Sequence, residues 1–64
     1  MSYETYDVAT FTEVFSSFDT IDIARKNIET RIVADGLSPF LGVSAINYHQ
    51  DHGVYVLITT VIRD

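Results

Sequence analysis

Residues 18–39 carry apolar side chains at the spacing of an α-helix. These side chains recur every three or four residues and so share one face of the helix: Ile21, Ala24, Ile28 and Ile32. Gly36 can adopt the left-handed conformation that ends a helix, Leu37 can then pack back on Ile32, and Pro39 cannot continue the helix. The pattern therefore predicts one helix whose apolar stripe faces a core.

The start of this helix is predicted at Asp19, whose carboxylate can accept the free N–H groups of the first turn. Asp22 follows three residues later, where the capping-box arrangement places an acid. Phe18 and Ile23 stand at the two positions of a hydrophobic staple around this cap. The staple accounts for Ile23, which lies off the main apolar stripe.

Residues 41–62 are predicted to form a β-hairpin. The segments LGVSAINY and VYVLITTVI are rich in β-branched and aromatic residues, and the polar HQDHG between them ends in Gly53. The second strand is apolar on both faces, with Val54, Val56, Ile58 and Ile62 on one and Tyr55, Leu57 and Val61 on the other. Such a strand is expected in the middle of a sheet that is covered on both sides. Since one helix covers only one face, the other face requires a second helix, a second protomer or a partner protein.

Residues 3–18 fit two different structures. Strand-forming residues alternate onto one face, namely Tyr6, Val8, Thr10, Thr12 and Val14. The same segment also carries a helical stripe, namely Val8, Phe11, Phe15 and Phe18. We predict a single α+β domain over residues 1–64, a βαββ arrangement with one central helix on a three-stranded, mainly antiparallel sheet; the alternative is ααββ with residues 8–18 helical. In the βαββ arrangement the first strand runs parallel to one hairpin strand, and its open edge can pair with a symmetry mate.

Charge and composition restrict the partners of the chain. It has 64 residues, no cysteine and a net charge of −5, and residues 1–22 hold five acids and no base. Four bases are too few for a phosphate-binding patch, so we expect no direct binding of nucleic acid. No apolar run approaches about 18 residues and no signal-peptide pattern opens the chain, so we expect no membrane association. The absence of cysteine fits a reducing compartment, and we predict a cytoplasmic protein.

No motif indicates an enzyme, a cofactor or a metal. His49, Asp51 and His52 are ligand types that zinc or nickel accepts, but their spacing matches no established metal site, and a turn favours polar residues for its own reasons. The three glycines are scattered, without the pattern of a phosphate-binding loop. No serine has a nearby base in the sequence to activate it. We therefore predict no catalytic, cofactor-binding or metal-binding residue.

In length and element order the chain resembles two families, the small tautomerases and the dodecins. Tautomerases of this size work through an N-terminal proline, whereas this chain has Ser2 at that position. Dodecins stack flavins on tryptophan, and this chain has none. The resemblance therefore implies an architecture and no activity.

The remaining signal is a set of tyrosines and N-terminal acids. Tyrosine is enriched in protein interfaces, and acids steer association with basic surfaces. The predicted partner-binding residues are Tyr3, Glu4, Tyr6, Asp7, Glu13, Tyr48 and Tyr55. We predict a small acidic protein-binding module, an inhibitor or adaptor of a protein with a basic surface, of the kind that phages and mobile elements use to modulate host defences. The alternative is a homo-oligomeric, for example homodimeric, small-ligand-binding or regulatory βαββ domain.

Overall fold

The computed structural model describes residues 7–63. Strand β1 (Val8–Phe15) is followed by helix α1 (Ile21–Ala34), strand β2 (Gly42–His49) and strand β3 (Val54–Ile62). Short 3₁₀ turns at Phe18–Thr20 and Pro39–Leu41 precede α1 and β2. The βαββ order is confirmed, and the alternative in which residues 8–18 form a helix is wrong.

The three strands form one sheet in the order β1–β3–β2, and both neighbouring pairs are antiparallel. The strand with two apolar faces, β3, is the central one, as its pattern predicted. Because β1 and β2 both run antiparallel to β3, they are parallel to each other, but β3 separates them. Strands β1 and β2 are therefore the two edges of the sheet.

Pairing with β3 explains why the first segment is a strand. All eight residues of β1 pair along β3, from Val8 opposite Ile62 to Phe15 opposite Tyr55. This pairing places Ala9, Phe11 and Phe15 on the face that α1 covers, where Ala9 and Phe15 are buried. A helix would have grouped Val8 with Phe11 and Phe15, whereas in the strand Val8 lies on the opposite face.

The core lies between α1 and one face of the sheet. Its buried members come from three elements: Ala24, Ile28 and Ile32 from α1, Phe15 from β1, and Leu57 and Val61 from β3. Partly buried Phe11, Ile21, Leu37 and Tyr55 pack around them. Because α1 packs mainly over β1 and β3, strand β2 is left exposed for most of its length.

The predicted end of the helix is confirmed. Gly36 has φ of 77°, its N–H donates to the carbonyl of Val33 at 2.9 Å, and the N–H of Leu37 donates to the carbonyl of Ile32 at 3.1 Å. These are the two bonds of a Schellman motif. They satisfy carbonyls that the end of the helix would otherwise leave without a partner.

The predicted start of the helix is wrong. Asp19 lies inside the 3₁₀ turn, and α1 begins after Thr20, which makes no capping bond to the helix. The Thr20 hydroxyl instead donates to the carbonyl of Ser17 at 2.7 Å. The staple is also missing as a buried contact, because Ile23 is 61% exposed and the Phe18 ring packs edge-on against Tyr55 at 5.6 Å. The cap is thus one residue later than predicted, at Thr20 and not at Asp19, and Phe18 packs on Tyr55 and not on Ile23.

Candidate functional site

One face of the sheet has no covering element among residues 7–63. Side chains alternate between the two faces of each strand, and directly paired residues share a face. The register therefore assigns to the side away from α1 a set that we call the open face: Val8, Thr10, Thr12, Val14, Val43, Ala45, Asn47, His49, Val54, Val56, Ile58, Thr60 and Ile62.

The open face is apolar and uncharged. Aside from three threonines, Asn47 and His49, its side chains are valine, isoleucine and alanine, and none is acidic or belongs to lysine or arginine. Val43 is 76% exposed and Val14 is 61% exposed. A contiguous apolar surface of this kind on a small domain is typical of an interaction site.

The sequence predicted that a single helix leaves one face of β3 uncovered, and within residues 7–63 this is confirmed. Of the three coverings expected for it, a second helix over residues 8–18 is ruled out, because this segment is β1 within the sheet itself. The two remaining coverings are a second protomer and a partner protein. The valines of the open face were not among the predicted partner-binding residues. In β1 the alternate positions of Val8, Thr10, Thr12 and Val14 indicated that these residues share one face of a strand. Only the register shows that this is the face away from α1.

Two of the predicted residues, Tyr48 and Tyr55, lie together. Tyr55 is the centre of an aromatic cluster in which its ring lies 5.2 Å from Phe15, 5.6 Å from Phe18 and 4.7 Å from Tyr48, measured between ring centroids. The cluster is on the α1 side of the sheet, at the end next to the β2–β3 turn. Tyr48 and Phe18 remain 56% and 55% exposed, so the cluster presents aromatic surface to solvent.

The other predicted residues are not gathered around this cluster. Tyr3, Glu4 and Tyr6 lie outside the described residues. Asp7 is exposed at the opposite end of β1, where its carbonyl accepts the N–H of Arg63 at 2.9 Å. Phe15, the member of the cluster on β1, lies eight positions along the chain from Asp7, which is about 27 Å at the usual rise per residue.

Glu13 is held within the fold. Its Oε2 lies 2.7 Å from Nη2 of Arg31, and its Oε1 accepts a hydrogen bond from Asn27 at 3.0 Å. Only 26% of the Glu13 side chain is exposed. The Glu13 carboxylate therefore links β1 to α1. Because its charge is already paired with Arg31, it is less able to attract a basic partner.

A small groove runs between α1 and β2. Its volume is about 220 Å³, and its lining combines apolar and polar residues: Arg25, Ile28, Glu29, Ile32, Pro39, Ser44 and Thr59. The hydroxyls of Ser44 and Thr59 lie 2.8 Å apart and hydrogen-bond to each other. Ligand pockets usually enclose about 300–1,000 Å³, so this groove is small for a metabolite.

The hairpin loop was weighed as a metal site because of His49, Asp51 and His52. Within residues 7–63 no group of three or more histidine or acidic side chains is arranged to hold a metal ion. In the same part of the chain, no helix has the length and apolar content needed to cross a membrane. The chain matches no protein-family model, no curated protein and no solved structure.

Proposed function

We propose that this chain is a small protein-binding module, an inhibitor or adaptor, and that its partner protein docks on the open face. The observation that carries this proposal is the combination of apolar character, exposure and lack of charge on that face. Burying such side chains against a partner removes apolar surface from water without desolvating any charge. The exposure of Val14 and Val43 supports the proposal.

Charge supports a partner with basic groups around an apolar patch. The chain has a net charge of −5, and no acid among residues 7–63 belongs to the open face. An acidic molecule with a neutral contact surface attracts a basic partner over long range, while the contact itself is made by apolar side chains. The partner surface that fits is therefore an apolar patch bordered by lysine or arginine.

Size supports the role of inhibitor or adaptor. A small domain that offers a binding face can act on a partner by covering one of its surfaces or by linking it to another molecule. Small acidic proteins of phages and mobile elements that modulate their hosts act in this way, and this part of the proposal is an analogy of size and charge.

The test compares two valines that are equally exposed. Val14 on the open face and Val33 on α1 are each 61% exposed, so Val14→Lys and Val33→Lys add the same charge at sites of equal exposure. The full chain and both variants are immobilised and challenged with a lysate of the source organism, and retained proteins are quantified by mass spectrometry. We expect at least one protein that the wild type and Val33→Lys retain equally and that Val14→Lys retains at least tenfold less.

Circular dichroism establishes that both variants keep the fold before retention is compared. Equal retention of every protein by all three chains overturns the proposal, because a lysine on the open face then has no effect on binding. Retention of no protein above the level of empty beads also overturns it.

A further inference from the structure

The outer edge of β2 carries backbone groups that have no partner among residues 7–63. The N–H of Arg63 donates to the carbonyl of Asp7, so the odd-numbered residues of β1 point their backbone groups towards β3 and the even-numbered ones point outwards. The odd-numbered residues of β3 bond to β1, so its even-numbered residues direct their backbone groups towards β2. Because these even-numbered residues stand opposite odd-numbered residues of β2, the odd-numbered residues of β2 point their backbone groups towards β3. Ser44, Ile46 and Tyr48 therefore direct N–H and C=O groups away from the sheet, and no described residue pairs with these groups.

The opposite edge of the sheet, that of β1, is partly covered by a side chain. Thr12 points its carbonyl outwards from β1, and Nη2 of Arg31 donates to it at 2.5 Å while also contacting Glu13. The side chain of Arg31 thus covers part of the β1 edge. The sequence analysis considered the β1 edge as one that can pair with a symmetry mate. Among residues 7–63 the structure covers part of that edge, whereas no side chain hydrogen-bonds to the outward backbone groups of β2.

Strand β2 has none of the usual protections of an edge strand. Its eight residues, GVSAINYH, include no lysine, no acid and no proline, and they pair with β3 without a bulge. The two most exposed large hydrophobic side chains of the described residues are Phe40, at 95% in the turn before β2, and Val43, at 76% near the start of β2. A long, uncharged edge of this kind is a template for pairing with another strand.

We propose that the edge of β2 pairs antiparallel with β2 of a second copy, so that two sheets join into one of six strands. Pairing about a two-fold axis at Ile46 sets Ile46 opposite Ile46 of the other copy, and Ser44 opposite Tyr48 of the other copy. Each of these pairs exchanges both N–H···O bonds, which satisfies the outward groups. Because β2 contains no acid or base, two chains of charge −5 bring no like charges opposite each other at this edge.

The pairing also enlarges the surface offered to a partner, a consequence that rests on the proposed function. Three strands about 4.8 Å apart and about 27 Å long present an open face of roughly 400 Å². A stable interface buries about 800 Å² on each partner. Joining two sheets through β2 makes the two open faces continuous and brings their area to about this value.

A single cysteine tests the geometry, since the chain has none of its own. Opposed residues of a hydrogen-bonded pair have Cα atoms about 5.5 Å apart, a distance that a disulfide spans. Under mild oxidation of the full chain at micromolar concentration, Ile46→Cys is expected to give a covalent dimer of twice 7.2 kDa. Val33→Cys, on an exposed part of α1, is expected to remain mainly monomeric. Equal yields of dimer from the two variants overturn the proposal.

Light scattering tests the association without a cross-link. The wild type is expected to approach twice its monomer mass as its concentration rises, and Ile46→Lys is expected to raise the dimer dissociation constant at least tenfold, because two lysines then face each other. Thr10→Lys adds the same charge to β1 and is expected to leave the dimer unchanged. A wild type that stays monomeric overturns edge pairing. A dimer that survives Ile46→Lys but is lost in Val14→Lys also overturns it, and this result assigns the contact to the open faces. A dimer without retained lysate protein leaves edge pairing standing and removes only the proposed function.

Discussion

Arg31 of α1 and Glu13 of β1 form an ion pair with Nη2 and Oε2 2.7 Å apart, and it is the only one among residues 7–63. The residues are 18 positions apart in the chain, and the pair joins the helix to one edge of the sheet. Arg31 also donates a hydrogen bond to the carbonyl of Thr12, so its side chain covers part of the β1 edge. We call these two contacts of Arg31, with Glu13 and with Thr12, the clasp. One side chain thus stabilises the packing of the helix and protects an edge from pairing.

Removing the clasp is expected to weaken the fold modestly. Arg31→Ala should lower the free energy of unfolding by about 1 kcal/mol, because partly exposed ion pairs and hydrogen bonds contribute on this scale. Urea denaturation followed by circular dichroism measures the change. Arg25→Ala is the matched control, since it removes the same charge from the same helix and Arg25 makes no ion pair among the described residues. Losses of equal size would show that helix charge, and not the clasp, is responsible.

The apolar stripe of α1 is expected to dominate stability. Ile28 is 2% exposed, so Ile28→Ala should cost about 2–5 kcal/mol through lost burial and a residual cavity. For so short a chain this is a large part of its total stability. Ile23→Ala on the same helix, where the side chain is 61% exposed, should change stability by no more than about 0.5 kcal/mol. Denaturation midpoints compare the two, and similar losses would contradict the assigned core.

The hydrogen bond between Ser44 and Thr59 is expected to respond unequally to removal of its two partners. Thr59 is 6% exposed, whereas Ser44 is exposed. Ser44→Ala leaves the Thr59 hydroxyl buried without its partner and should cost about 1 kcal/mol or more. Thr59→Val keeps the shape and leaves Ser44 free to bond water, so it should cost less. Thermal or urea unfolding of both variants decides this, and a greater loss in Thr59→Val would be evidence against it.

Gly36 is expected to be sensitive because of its backbone conformation alone. Its φ of 77° is unfavourable for residues with a Cβ, and the space where a Cβ would lie is open to at least 4 Å. Gly36→Ala should therefore cost about 1 kcal/mol without any steric clash. Gly36→Asn should cost less, because asparagine tolerates the left-handed region better. If alanine and asparagine prove equal in denaturation, another feature of the helix end sets the cost.

Much of the fold was predictable because its signals are local. The helical stripe, the glycine that ends the helix and the alternation of the hairpin each lie within a few consecutive residues. The two-sided apolar character of β3 even predicted that the central helix leaves one sheet face uncovered. The helix start was mispredicted because Asp19, a good cap by residue type, lies in a 3₁₀ turn. The packing of Phe18 on Tyr55 accompanies this turn, and that contact spans distant parts of the chain.

The candidate site was less predictable. Tyrosines and acids were chosen by residue type, and this choice joined Asp7 with Tyr48 although they lie at opposite ends of the sheet. The valines of the open face became visible as a group only through the register of β1 and β2 on β3. Adjacency across strands depends on pairing between residues far apart in the chain, which no local pattern specifies.

The sequence by itself determined the central helix, the hairpin and the presence of an apolar sheet face that one helix cannot cover. These follow from periodicity, which is set by the geometry of each element taken alone. Only the tertiary structure decided that residues 8–15 form a strand, that Arg31 protects the β1 edge and that β2 is left open. Those outcomes depend on where α1 lies across the sheet, and that position follows from packing the whole core at once.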